Sequence, residues 1–150
     1  IHRMSNERKV SVSRVIDASP EDIFAVLTDP LQHPVIDGSG MVKGENFGPD
    51  RLNAAGDEFG MKMSFSGVPY RIKNTVKEYE ENELIAWSHF GGHRWRYELE
   101  KVDGGTKVTE TFDWSTSTTP RVIELMGYPK KHPANMEATL ERLDEHVSGS

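Results

Sequence analysis

The sequence predicts an α+β fold: a curved antiparallel sheet of about seven strands, two short helices near its N-terminal end and a long helix at its C-terminal end. Three observations predict it. Trp95, Tyr97 and Leu99 alternate with Arg94, Arg96, Glu98 and Glu100, and Val108, Glu110, Phe112 and Trp114 oppose Lys107, Thr109, Thr111 and Asp113; a period of two marks a half-buried strand. Ser19-Pro20-Glu21-Asp22 combines an N-cap serine, a proline at the first helical position and two acids that meet the positive end of a helix dipole. After the last strand, Met136, Leu140, Leu143 and Val147 fall at steps of four, three and four, a narrow helical stripe that must lie on an apolar surface.

The elements follow in order. Lys9 to Asp17, rich in Val, Ile and Ser, has strand chemistry. The helix that starts at Ser19 carries Ile23, Phe24, Val26 and Leu27 as its apolar stripe and is stopped by Asp29-Pro30. Leu31 to Ile36 reads as a second helical turn ahead of Gly38-Ser39-Gly40. Lys43 to Gly56, dominated by Gly, Asn, Pro and Asp, reads as a long loop, a flap or mobile rim. Strands are then expected at 59–65, where Phe59, Met61, Met63 and Phe65 alternate with Gly60, Lys62 and Ser64, and at 70–79, 84–90, 93–101 and 106–114. Turns fall at Gly67-Val68-Pro69, Glu80-Glu81-Asn82, Gly91-Gly92 and Asp103-Gly104-Gly105. The remainder is helical from Pro120, and Pro129 and Pro133 divide it into two segments.

Composition bounds the function. The chain has 150 residues, 35% hydrophobic and 28% charged, the range of one domain with one core; we take 9–147 as that domain and 1–8 as a tail, with Ile1-His2-Arg3 ahead of Met4 an appended remnant. A formal charge of -6 argues against a nucleic-acid partner or an anionic membrane surface, since phosphate binding needs a basic excess. No cysteine is present, which removes disulfides, thiolate nucleophiles and cysteine metal sites. No apolar run is long enough to span a bilayer and no secretory leader is visible. The expectation is a cytoplasmic protein, a monomer or weak homodimer, with no cofactor. Phosphate-cradling glycine loops, nucleophile elbows and dinucleotide fingerprints are absent from the sequence.

Residues 10–30 (VSVSRVIDASPEDIFAVLTDP) resemble the opening of the START-like superfamily, also called SRPBCC, in its polyketide cyclase/dehydrase-like branch. Ile85-Ala86-Trp87, Trp95 to Leu99, Gly104 to Val108, Phe112-Asp113-Trp114 and Leu140 to Leu143 agree, so the resemblance runs from about Lys9 to Val147. It implies the helix-grip fold, with an apolar cavity between the concave sheet and the C-terminal helix. It is specific for fold and not for function, because that scaffold hosts lipid carriers, aromatase/cyclases, oxygenase domains and chaperone regulators.

Under that resemblance the inward strand faces become cavity walls: Phe59, Met61, Met63, Phe65, Trp87, His89, Trp95, Tyr97, Phe112 and Trp114, with Met136 and Leu140 from the helix. Plain core packing would use the same residues. His89 joins Ile85 and Trp87 in one register, while the alternate set Leu84, Ala86, Ser88 and Phe90 is also mostly apolar. His93 shares the face of Trp95, and Glu110 that of Phe112. The two either act as general acid and base, with His89 or Tyr97 as further proton-handling groups, or bond each other or the backbone and orient the polar part of a ligand. His89 and His93 across a Gly-Gly turn do not make a metal site, which needs ligands at defined spacing and an oriented carboxylate. His33 is expected to be buried or capping near the cavity mouth, Lys130-Lys131-His132 a solvated bend, and Arg94 and Arg96 to lie on the outer face, offset by Glu98 and Glu100. The leading function is binding of a small hydrophobic molecule; the alternatives are a polyketide cyclase or dehydratase and a partner-regulating interaction module.

Overall fold

Alternating side chains are converted into a single seven-stranded antiparallel sheet in the computed structural model, which describes residues 8–39, 41–88, 92–125 and 128–148. The strands are β1 (Lys9–Ile16), β2 (Val42–Phe47), β3 (Glu58–Phe65), β4 (Val68–Glu80), β5 (Leu84–Ser88), β6 (Arg94–Val102) and β7 (Gly105–Asp113). Their order across the sheet is β1-β7-β6-β5-β4-β3-β2. From β2 onward every strand pairs with its chain neighbour, and β1 closes the far side against β7. The helices are α1 (Pro20–Leu27), a 3-10 turn at Pro30–Gln32, α2 (His33–Ile36), α3 (Pro120–Leu125) and α4 (Tyr128–Ser148). The α+β helix-grip architecture expected from the sequence is the one observed. Among the described residues no helix is long and apolar enough to cross a membrane.

Two segments differ from expectation. The stretch 43–56, expected to be all loop, begins with the edge strand β2, whose register against β3 shifts twice, between Val42 and Gly44 and between Glu45 and Phe47. Such irregularity breaks the alternation that makes a strand visible in sequence. At the C-terminal end α3 ends at Leu125 and α4 begins at Tyr128, and Pro133, expected to interrupt the helix, sits inside α4. A proline there removes one intrahelical hydrogen bond, the one that the carbonyl four residues back would accept, and α4 continues because its stripe is buried: Met136, Leu140 and Leu143 are each 1% exposed or less.

Local chemistry sets the N-terminal corner. Ser19 Oγ accepts from the Asp22 N–H at 3.1 Å, Pro20 opens α1, and Ile23, Phe24 and Leu27 are fully buried. Asp37 then organises the turn after α2: its carboxylate accepts from the Ser39 hydroxyl and from the N–H groups of Ser39 and Val42. The turn is tied to α4 by the Gly38 N–H to Thr139 Oγ1 bond at 2.8 Å and by Arg142, which donates to the Asp37 carbonyl. A Cβ on Gly38 would lie 2.5 Å from the Asn135 carbonyl oxygen and 2.6 Å from the Thr139 nitrogen. Both are helix backbone atoms and neither can swing away. Gly38→Ala is therefore expected to push α4 off the corner and cost about 1–3 kcal/mol, as overpacking does; an unchanged thermal melt would contradict that close approach.

On β4 an irregularity between Val76 and Glu78 re-aims the strand: Val76 opposes Trp87, and Glu78 opposes Ala86. Glu78 thereby reaches the outer face, where its carboxylate takes both Arg96 Nε (3.0 Å) and Nη2 (2.8 Å) together with Arg94 Nη1 (2.8 Å), while Arg96 also reaches Asp113 Oδ2 at 3.2 Å. The partners of these arginines are thus Glu78 and Asp113, and not Glu98 and Glu100, which are solvent-exposed neighbours on the arginines' own strand. Bonding to Arg96 comes first among the causes that hold the Glu78 carboxyl below its ordinary range.

Candidate functional site

Register builds a wall of rings on the inner face. Trp87 opposes Trp95, Trp95 opposes Phe112, and Tyr97 opposes Glu110; on the other flank Asn74 opposes Phe59, Ile72 opposes Met61, and Tyr70 opposes Met63. Directly opposed residues project to one face. From α2, His33 stacks on Trp87 with ring centroids 4.8 Å apart and meets Phe59 edge-on at 5.3 Å. Its Nε2 donates to the Leu27 carbonyl at 2.8 Å, since a carbonyl can only accept. Burial holds its pKa below the usual histidine value, against the opposing pull of that bond and of Asp29 and Asp37. His33 is the buried histidine the sequence suggested, and it lines the cavity.

These side chains and α4 bound a cavity of about 430 Å³. Phe59, Met61, Met63, Phe65, Trp87, Trp95, Tyr97, Phe112 and Met136 line it, as do His93 and Glu110. Phe65 is 59% exposed and so belongs to its open rim. Trp114 and Leu140 are buried but do not line it: Trp114 stacks behind Phe112 at 5.7 Å and donates its indole N–H to Glu124 at 2.7 Å, and Leu140 joins the core with Leu143 and Ile16. His89 lies outside the described residues. Among the described residues no group of three or more His, Cys, Asp or Glu could hold a metal.

Polar chemistry is sparse and deeply buried. Glu110 is 3% exposed; its Oε2 accepts the Tyr97 hydroxyl at 3.1 Å, and its Oε1 has no hydrogen-bond partner among the described residues. Loss of hydration pushes its pKa up to about 8, the Tyr97 bond resisting and the Asp37 charge assisting. The same burial, reinforced by the Glu110 charge, drives the Tyr97 hydroxyl well above its ordinary value. At neutral pH Glu110 is a carboxylic acid with an O–H of its own to donate. His93 sits in the approach to β6, edge-on to Phe112 at 5.3 Å, with a pKa lowered by burial. The hydrogen bond that Glu110 makes is to Tyr97, one strand over, rather than to His93.

Of the wall residues that escaped the sequence reading, two bear on its chemistry. Asn74 is 3% exposed, and its Oδ1 is unpartnered among the described residues; its signal was available, an amide breaking the inward set Tyr70, Ile72 and Val76. His132 is no solvated bend: its ring packs against Phe112 at 4.5 Å and Trp95 at 5.0 Å. Nothing local distinguishes it, because its partners lie in strands twenty or more residues away.

The sequence profile of the family described as polyketide cyclase/dehydrase and lipid transport matches residues 7–148. Two uncharacterised proteins of Mycobacterium tuberculosis, Rv0088 from strain H37Rv and MT0096 from strain CDC 1551, are 40% and 39% identical over 147 residues. The alignments cover 94% of this chain and 65% of each relative, so the chain spans just under two thirds of their length. Among solved structures, a Rhodobacter sphaeroides protein superposes with a TM-score of 0.73 at 19% identity, over 95% of this chain and 93% of that one. An AHSA1-like protein from Aeromonas hydrophila superposes with a TM-score of 0.67 at 19% identity, over 94% and 92%. Likeness at this identity establishes the fold alone.

Proposed function

Because the chain belongs to the polyketide cyclase/dehydrase and lipid transport family, we propose that it binds a small hydrophobic molecule, such as a lipid, an isoprenoid or an aromatic polyketide, between the sheet and α4. The observation that carries this is the cavity: about 430 Å³, walled by aromatic rings and methionines, with a few convergent polar groups, the composition expected of a small-molecule site. Methionine adds adaptability, since its flexible thioether follows irregular surfaces. Native mass spectrometry after incubation with mixed lipid and polyketide extracts is expected to show a retained adduct that a fluorescent apolar probe displaces. Failure of every apolar compound to bind would end this reading.

A second reading, acid-base catalysis of the cyclase or dehydratase type, has one observation in favour. Glu110, held protonated beside Tyr97 in an apolar cavity, is a candidate general acid toward a bound carbonyl oxygen, and His93 faces the same space. It requires turnover of a poly-β-ketone probe that Glu110→Gln abolishes; turnover equal in the two proteins removes it.

A further inference from the structure

The polar groups of the cavity also say what kind of molecule fits. Resting on the ligand-binding reading above, we propose that the ligand is uncharged, offers an acceptor oxygen such as a ketone to Glu110, and offers a hydrogen-bond donor to Asn74.

Charge is the first ground. No Lys or Arg is among the described residues that line the cavity, whereas two acids, Asp37 and Glu110, are. The Asp37 carboxylate is already committed to Ser39 and Val42. A carboxylate ligand would enter an apolar space with no lysine or arginine to meet it and with burial disfavouring the charged forms of His33 and His93, and desolvating an unpaired anion costs several kcal/mol. The second ground is a pair of oxygens without a hydrogen-bond partner among the described residues, Glu110 Oε1 and Asn74 Oδ1. Buried polar atoms in proteins nearly always have partners, and each one left without costs about 1–3 kcal/mol. Both belong to residues lining the same cavity, so one ligand can satisfy both. Glu110 in its neutral form donates from the oxygen that Tyr97 does not occupy, which calls for an acceptor; the Asn74 oxygen calls for a donor. Glu110 lies on β7, level with Tyr97, Ile85 and Tyr79, while Asn74 lies on β4 five residues before Tyr79, so the two backbones are offset by roughly 14 Å across the strands and roughly 13 Å along them. The two polar groups therefore belong at opposite ends of a body that lies along Trp87, Trp95 and Phe59.

Matched naphthalenes test this by tryptophan quenching and calorimetry at pH 6.5: 2-acetylnaphthalene, its oxygen-free isostere 2-isopropenylnaphthalene, and 2-naphthoate. The ketone is expected to bind at least tenfold more tightly than the isostere, and 2-naphthoate no better than the isostere. Glu110→Leu should erase the ketone's advantage, while Glu110→Gln, which keeps a neutral donor, should preserve it and guards against a variant that merely fails to fold. A hydroxyl carried further out at the far end, in 6-(2-hydroxyethoxy)-2-acetylnaphthalene, should gain about fivefold in the native protein and nothing in Asn74→Leu. Equal affinities across the series, or tightest binding of 2-naphthoate, overturn the proposal and leave the cavity a general apolar binder. Absence of binding by all of the compounds overturns the ligand-binding reading with it.

Discussion

Glu110→Gln is expected to stabilise the protein at alkaline pH and to remove the falling limb of its stability profile. The Glu110 carboxyl titrates near 8 in the fold against about 4.5 when exposed. Below 4.5 both states hold the proton. Between 4.5 and 8 the unfolded chain has released it while the fold keeps it, so stability falls by about 1.4 kcal/mol per pH unit and levels off above 8. His33 and His93 act with the opposite sign. Their pKa values are lowered by burial, so below about 6.5 the unfolded chain takes up protons that the fold resists, and stability falls toward acid. The native protein should therefore be most stable near pH 6.5, and the variant should gain up to about 4 kcal/mol at pH 8. The charged and titratable neighbours Tyr97 and Asp37 are common to both proteins. Thermal melts at half-unit steps from pH 5 to 9 measure it, and parallel curves for the two proteins would show that Glu110 is not held protonated.

Removing the Phe112 ring should cost the most stability of any single truncation in the wall. It is 2% exposed and touches four rings: His132 at 4.5 Å, Trp95 at 4.8 Å, His93 at 5.3 Å and Trp114 at 5.7 Å. Phe112→Ala is expected to lose about 3–5 kcal/mol, the range for a buried phenylalanine, lowering the melting temperature by roughly 10 °C. Phe65→Ala, at the exposed rim, should stay within about 0.5 kcal/mol of the native protein. If the two variants melt alike, the wall around Phe112 is not packed as described.

The contrast between these positions shows what was legible in the sequence. Strand alternation placed Phe59, Met61, Trp95, Tyr97, Glu110 and Phe112 on one face, because a period of two is a property of the chain alone. It failed where pairing geometry intervenes. The register shifts of β2 hid a strand, and the irregularity before Glu78 swung that residue to the outer face and gave Arg94 and Arg96 partners that no local pattern announced. The bond from Tyr97 to Glu110 follows from the β6-β7 register, so both residues were found while their pairing was not. Asn74 could have been found as the single amide in an apolar set. His33 and His132 owe their ring contacts to helices laid across the sheet, and such contacts carry no sequence period. The hollow itself was expected from resemblance and not from periodicity.

The pairing of β1 with β7 has a consequence for biosynthesis. Lys9 opposes Asp113, so β1 leaves the ribosome about a hundred residues before β7, its neighbour in the sheet. At 5–20 residues per second that is a delay of roughly 5 to 20 s, during which β2 to β6 can assemble as successive hairpins while β1 has nothing to pair with. Its solvent-side residues Lys9, Ser11 and Ser13 suit that interval, since polar and charged side chains discourage an unpaired strand from recruiting a foreign one. Nascent chains stalled before residue 105 should therefore carry β1 sensitive to protease, and those released beyond β7 should protect it.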